Sequence, residues 1–275
     1  MSPAAGAGLP ASLILVGAGK MGGAMLDGWL ASGLDPARVS VVDPGIAPEA
    51  AEVWTRRGVA LNPADPGEPE ALVLAIKPQG LEGAAASVAP LAGPGTLVVS
   101  VLAGKTIADL RSRLPRARAV VRAMPNLPAS IGRGATGAVA SPEVSEGQRG
   151  IADALLSANG LVEWVADEEL IDAVTAVSGS GPAYVFLLAE TLAAAGVAAG
   201  LPPETAARLA RQTVAGAGEL LGRSEAEPAV LRQNVTSPGG TTAAALGVLM
   251  SGDGLSPLMR RAVAAAQRRA RELAG

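Results

Sequence analysis

A chain of 275 residues with a formal net charge of -3 and no long basic run lacks the electrostatic footprint that nucleic acid or an anionic membrane surface demands. It contains no Cys and no His, which excludes disulfides and thiol nucleophiles and removes the side chains most used by zinc or iron, so no metal site is expected. Only 2% of the residues are aromatic although 49% are hydrophobic, so the interior has to be built from Ala, Val and Leu, and the length sits where one core commonly divides into two domains.

Met1 to Pro10 is rich in Ala, Gly and Pro, with no basic residue before Lys20; it lacks the charged start of a secretory signal and reads as a frayed tail. Short aliphatic runs then recur at Leu13 to Val16, Val39 to Val42, Leu72 to Ile76, Thr96 to Val101, Ala119 to Ala123, Thr136 to Ala140 and Leu161 to Val165. Ala-rich, helix-length segments separate most of them. This alternation predicts an α/β fold, a Rossmann-type doubly wound parallel sheet covered on both faces, over residues 1–166. Residues 167–275 carry only helical spacing, in segments from Asp167, Pro182, Pro203, Glu225, Thr241 and Ser256, and predict an all-helical second domain. The most apolar stretch, Ala173 to Ala189, is expected to be broken by Ser178-Gly179-Ser180-Gly181-Pro182 and closed by Glu190, which argues against a membrane span and for a soluble, cytoplasmic chain.

The first strand runs into Gly17-Ala18-Gly19-Lys20-Met21-Gly22, with Met25, Leu26 and Trp29 at core spacing behind it. In this pattern Gly17 permits the tight turn, Gly19 admits the pyrophosphate, Gly22 allows close packing of helix on strand, and free N–H groups at the helix start face the anion. Asp43 closes the second strand, where a carboxylate accepts the ribose hydroxyls of a dinucleotide. An NADP 2′-phosphate would meet that carboxylate as a like charge unless an Arg such as Arg56 intervenes, so either NADH or NADPH is compatible, with NADH favoured.

Hydroxy-acid dehydrogenases move a proton as well as a hydride, through a His, a Tyr-x-x-x-Lys pair or a Lys in the second domain. Here Tyr184 is followed four positions on by Leu188, and the only lysines, Lys20, Lys77 and Lys105, lie in the first half. A substrate that already carries its proton, such as an iminium C=N, needs hydride delivery and orientation but no strong base, so an imine reductase fits the inventory. A related hydroxy-acid or imine dehydrogenase and a non-catalytic dinucleotide sensor remain open, because fold alone does not separate them.

Two helical-half segments, Asp172 to Tyr184 and Asn234 to Leu246, are rich in small polar residues and glycine. In the second, Ser237-Pro238-Gly239-Gly240-Thr241-Thr242 leads into a helix whose first N–H groups, from Gly240, Thr241 and Thr242, are expected to be free for a carboxylate. Together with the glycine turn, Ala75-Ile76-Lys77-Pro78-Gln79 and Arg122-Ala123-Met124-Pro125-Asn126, these segments resemble the pyrroline-5-carboxylate reductases, over Leu13 to Leu273.

The resemblance implies reduction of 1-pyrroline-5-carboxylate to L-proline, with substrate at a homodimer interface of the helical domains and dimers that can join into rings. Thr242 resembles the family threonine that contacts the ring nitrogen and relays its proton, while Ser237, Gly239, Gly240 and Thr241 would orient the carboxylate. Ala75, Lys77 and Pro78 would line the nicotinamide side, with Ala103 and Asn126 nearby and Asn62 toward the adenosine. The chain departs from the family at Met250, where a Glu or another polar residue is usual, and at Asp43, which replaces a small polar residue.

Overall fold

The computed structural model describes residues 8–274. Among them the aliphatic runs form one eight-stranded sheet: β1 (Leu13–Val16), β2 (Val39–Val42), β3 (Ala60–Leu61), β4 (Ala71–Leu74), β5 (Leu97–Ser100), β6 (Ala119–Met124), β7 (Gly134–Ala140) and β8 (Gly160–Trp164), in the order β3-β2-β1-β4-β5-β6-β7-β8. The helices between them are α1 (Lys20–Ala31), α2 (Pro48–Arg56), α3 (Leu81–Val88), α4 (Ile107–Arg113) and α5 (Glu146–Ser157). β1 and β4 are buried at every residue, as strands covered on both faces must be. Successive side chains point to opposite faces, and two cores result. Leu13, Leu15, Val41 and Val73 pack with Met25, Leu26 and Trp29 of α1 and Leu155 of α5. Ile14, Val16, Leu72 and Leu74 pack with Leu81 of α3 and Leu110 of α4.

The architecture is the doubly wound sheet the alternation predicts, with differences that have local causes. β3 is a two-residue edge strand, pairing Ser40 with Ala60 and Val41 with Leu61, too short to register as an apolar run. β7 runs antiparallel to β6, so the sheet is not wholly parallel. A short link from Pro125 to Arg133, containing a 3-10 helix at Leu127–Ile131, joins the two, and a parallel return would need a crossover connection of a dozen or more residues.

The break expected at Ser178 to Pro182 is instead a widened turn of helix. α6 (Leu170–Val174) passes through π geometry at Thr175–Gly179 into α7 (Gly181–Ala198). Pro182 falls in the first turn of α7, where its missing N–H forfeits no helical bond. The resulting helical run, Leu170–Ala198, is long and apolar enough to cross a membrane by length and composition, with a mean hydropathy of 1.4 and none of its most apolar window buried. The tail expected over 1–10 lies outside the described residues up to residue 7; beyond that it is not frayed, since Leu9 packs against the first core and Pro10 is buried.

The chain divides into two compact units. One runs through Gly179 and takes back the C-terminal segment from Gln267; the other is Ser180–Ala266. The expected division after residue 166 falls earlier than this, because α6 still belongs to the sheet: Ile171 is buried, and a Cβ on Gly137 of β7 would meet Val174 at 2.5 Å. The second unit holds α7, α8 (Pro203–Arg223), α9 (Pro228–Asn234), α10 (Thr241–Leu249) and the beginning of α11 (Leu255–Ala274). α8 buries Ala206 and Ala210, with Gly196 of α7 giving Ala206 room to approach. α7 and α10 bury no residue, and Phe186, Leu187 and Leu188 are 59%, 56% and 53% exposed.

Trp29 is fully buried, and its indole N–H donates to the Leu155 carbonyl at 2.7 Å. Trp29→Phe removes that donor and leaves a buried carbonyl unpaired, which costs about 1–3 kcal/mol. Urea unfolding of the variant is expected to show a lower midpoint with an unchanged slope.

Candidate functional site

The strand order places β2 on one side of β1 and β4 on the other, so the sheet has its topological switch point at β1 and β4. In such sheets ligands bind outside the carboxyl ends of the strands at that point. The residues expected to hold a cofactor follow those ends: Gly17 to Gly22 after β1, Asp43 after β2, Asn62 after β3, Ala75, Lys77 and Pro78 after β4, Ala103 after β5 and Asn126 after β6. One edge of the first unit therefore carries all of them.

Gly17 turns with φ 88°, and its N–H donates to the Val42 carbonyl at 3.0 Å while the Ala75 N–H donates to Val16 at 2.8 Å. A Cβ at Gly17 would strike Ile76, and one at Gly22 would lie 2.1 Å from the Gly17 carbonyl oxygen. At Gly19 a Cβ would meet nothing within 4 Å. The turn is thus packed on its protein side and open at Gly19. The first helical bond of α1 runs from the Gly23 N–H to Gly19 at 2.7 Å, and no side chain caps the helix and no acid sits in its first turn. The N–H groups of Lys20, Met21 and Gly22 consequently have no backbone acceptor among the described residues, which fits an anion at the helix start.

Asp43 braces this turn. Its carboxylate accepts the Ala18 N–H at 2.8 Å and the Gly45 N–H at 2.9 Å, leaving further lone pairs for hydroxyl donors. Asn62, at φ 45°, holds Asp43 in both directions: its Oδ1 accepts the Asp43 N–H at 2.8 Å and its Nδ2 donates to the Asp43 carbonyl at 3.0 Å. This pairing was not legible from spacing. Lys77 is exposed, and its carbonyl accepts the Gly80 N–H at 2.8 Å. Ala103 is exposed in the loop before α4.

Asn126 is buried, and its amide is spent within the unit, donating to the Ser178 carbonyl of the π-turn at 3.0 Å and accepting the Ala135 N–H at 2.9 Å. Nearby, Arg122 is buried in β6 and forms a cluster that residue spacing did not reveal. Its guanidinium donates to Glu168 at 2.9 Å and lies 4.0 Å from Asp172, and Glu168 also accepts the Ile107 N–H at the start of α4. A buried charge survives only when paired and hydrogen-bonded, so an Arg inside an otherwise apolar strand was the available signal. In the same α4 start, burial pushes the Asp109 carboxyl up, but hydrogen bonds from the Thr106 N–H and hydroxyl and the charges of Lys105 and Arg113 outweigh it and leave it below its usual range.

In the second unit Ser237, Gly239, Gly240, Thr241 and Thr242 lie together at the beginning of α10. Gly239 has φ 70°. Gly240 forms the helix's N-cap without a side-chain cap. The Gly240 N–H is not free, as had been expected: it donates to the Ser237 carbonyl at 3.0 Å, closing the turn. The first helical bond runs from Ala244 to Gly240 at 3.1 Å, so the donors without a backbone acceptor are those of Thr241, Thr242 and Ala243. No acid occupies that first turn. Beside it, Met250 Sδ lies 3.0 Å from an Arg232 guanidinium nitrogen, on an open cavity of about 470 Å³ also lined by Thr236 and Leu246.

Residues 168–273 match the family model for pyrroline-5-carboxylate reductase dimerisation, and residues 12–104 that for NADP oxidoreductase, coenzyme F420-dependent. Among curated relatives, the pyrroline-5-carboxylate reductase of Pseudomonas aeruginosa is 42% identical, with 95% of this chain and 96% of the relative covered. That of Glycine max is 38% identical over 95% and 96%. A solved pyrroline-5-carboxylate reductase from Coxiella burnetii superposes with a TM-score of 0.88 at 36% identity, covering 97% of this chain and 99% of its own. The Plasmodium falciparum enzyme, solved with NADP bound, shares the fold at a TM-score of 0.78 and 24% identity, over 96% and 98%.

The unequal surroundings of the glycines set a test. Gly19→Ala adds a methyl where the protein leaves space, so its melting temperature should match wild type while dinucleotide Kd, measured by fluorescence titration, rises at least about tenfold. Gly22→Ala forces α1 off β1 and should lower the melting temperature as well.

Proposed function

The chain belongs to the pyrroline-5-carboxylate reductase family and reduces 1-pyrroline-5-carboxylate to L-proline with a nicotinamide dinucleotide, and we propose that this dinucleotide is NADH and that the beginning of α10 holds the imine. When bound, the reduced nicotinamide supplies the hydride that makes the C=N carbon of the substrate a C–H. The observation that carries the substrate reading is the uncapped start of α10, with Thr241, Thr242 and Ala243 N–H groups free of backbone acceptors and no acid to compete. Such a terminus suits the substrate carboxylate. Thr241 and the Ser237 side chain orient that carboxylate, Gly239 and Gly240 keep the approach clear of side chains, and the Thr242 hydroxyl meets the ring nitrogen and relays its proton. An iminium nitrogen arrives protonated and becomes a neutral amine when its carbon takes the hydride, so the hydroxyl orients that N–H during the step and passes the product amine its second proton from solvent, with no strong base needed.

On the cofactor side, Gly17 to Gly22 take the pyrophosphate and Asp43 the ribose hydroxyls. Asn62 serves the adenosine side by holding Asp43 in place. Ala75, Lys77, Pro78 and Ala103 line the nicotinamide side, and Asn126 sets the end of β6. Two features support NADH over NADPH. Asp43 presents its carboxylate where a 2′-phosphate would come, and Arg56, which would have to swing in to pair that phosphate, is 70% exposed and engaged with Glu52 at 3.2 Å.

The apolar surface of α7 pairs subunits rather than entering a bilayer, which supports a cytoplasmic homodimer. Exposed Leu220, Leu221, Val248 and Leu249 support further contacts that join dimers into a ring. A sedimentation mass at an integral multiple of the dimer mass tests the ring.

Thr242→Ala should lower kcat for pyrroline-5-carboxylate by about a hundredfold, the low end of what a positioned proton donor contributes, with dinucleotide Kd unchanged. Wild-type turnover in that variant would remove the relay role. Asp43→Ser should lower kcat/KM with NADH and raise it with NADPH; an NADPH preference already present in the wild type would overturn the NADH assignment.

A further inference from the structure

Residues 101–106 run from the end of β5 to the start of α4 and carry Ala103 on the cofactor edge of the sheet. This loop is held from two sides. Ser100, the last residue of β5, is paired in register with Arg122 of β6, whose guanidinium donates to Glu168 Oε1 at 2.9 Å. The same oxygen accepts the Ile107 N–H at 2.8 Å. One carboxylate atom thus ties the strand beside the start of the loop to the helix at its end. From the other side comes the C-terminal segment, which belongs to the same unit from Gln267. Gly104 has φ 70°, and a Cβ on it would lie 2.8 Å from the Leu273 carbonyl oxygen. Arg271, in the same turn of α11, lies 3.9 Å from Asp172, which is itself 4.0 Å from Arg122.

Stability alone does not call for this arrangement. A buried ion pair is often matched or bettered by well-packed apolar residues, and the Arg122 side chain, 5% exposed, interrupts a strand otherwise made of Ala, Val and Met. We propose that Glu168 is a positioning residue for hydride transfer: it fixes residues 101–106, and Ala103 with them, against the end of β6. The inference rests on the placement of Ala103 beside the nicotinamide proposed above. Glu168 acts through the loop rather than on the substrate. A shift of the loop by about 1 Å is enough to slow the reaction on the order of a hundredfold.

A protease that cuts only after lysine reads the loop without any turnover, because the chain's only lysines are Lys20, Lys77 and Lys105 and the last lies in this loop. Glu168→Ala should raise the rate of cutting after Lys105 in the cofactor-free chain at least about tenfold. It should lower kcat per bound dinucleotide by about the same factor, with dinucleotide Kd within about threefold of wild type. Glu168→Gln keeps an oxygen that accepts from both donors and should bring cutting and kcat back near wild type. Wild-type kcat in Glu168→Ala overturns the proposal. So does a Glu168→Gln variant as impaired as the alanine one, which would leave charge balance as the role of Glu168. Because Glu168→Ala strands a buried Arg, Ile107→Pro is compared with Ile107→Ala. Both shorten the side chain, but only the proline removes the N–H, and the first helical position after an extended Thr106 (ψ 164°) accepts it. The proline variant should turn over at least about threefold more slowly than the alanine variant; equal rates overturn the proposal. Ala103→Leu tells the two readings apart. Lower kcat in Ala103→Leu but not in Glu168→Ala sinks the clamp alone, whereas wild-type kcat and Kd in Ala103→Leu sink the placement of the nicotinamide and the proposal with it.

Discussion

The constraint on which the dinucleotide-binding half depends is the passage of α1 over the end of β1, where a methyl group on Gly22 would fall 2.1 Å from the Gly17 carbonyl oxygen. Because the helix can come this near, its first N–H groups stand directly beyond the strand end instead of being displaced sideways, and the turn between them has no room for a side chain on its inner face. The same closeness lets the ladder of β1 and β4 continue to Ala75, which brings the post-β4 loop alongside the glycine turn. The placement of the post-β4 loop and the free N–H groups at the start of α1 follow from that one approach.

A turn made of glycine would be loose if nothing held it, and the stiffening comes from Asp43 and Asn62. The carboxylate of Asp43 ties Ala18 to Gly45, and Asn62 fixes Asp43 through its backbone. The acid therefore has a structural task besides any contact with ribose: it fixes the turn whose outer side leaves the first α1 N–H groups free for an anion. A residue proposed to discriminate between two cofactors thus also orders the loop proposed to bind what both share, and preorganised donors bind more tightly than donors that must first be ordered.

What could be read from the residues, and what could not, divides by range. The glycine turn, the buried strands and the helical second half were legible because each rests on local spacing: apolar runs, glycines at fixed offsets, prolines in first helical turns. β3 escaped because two residues carry no periodicity. The reversal of β7 escaped because a short connection between two apolar runs does not announce its direction. Ser178 to Pro182 looked like a break, since Gly and Pro are helix breakers by propensity; the chain instead widened one turn to π geometry. Asn126 and Arg122 were visible only as members of a motif. Their partners, Ser178, Ala135, Glu168 and Asp172, are brought to them by the fold. At α10 the positions of Ser237 to Thr242 were legible, but the loss of the Gly240 N–H to the turn was not, because it depends on how the loop closes on itself.

The composition that opened the sequence also bears on assembly. Although α7 carries the chain's one Tyr and one Phe, α7 and α10 bury none of their residues in the protomer. Apolar area removed from water stabilises by about 25 cal/mol per Å², so helices that remain this exposed contribute little to holding a lone chain together. The dimerisation match over residues 168–273 accounts for that deficit: the missing half of the core is supplied by another subunit. If the proposed substrate site at the start of α10 holds, its rigidity depends on assembly, since α10 buries none of its residues in the protomer.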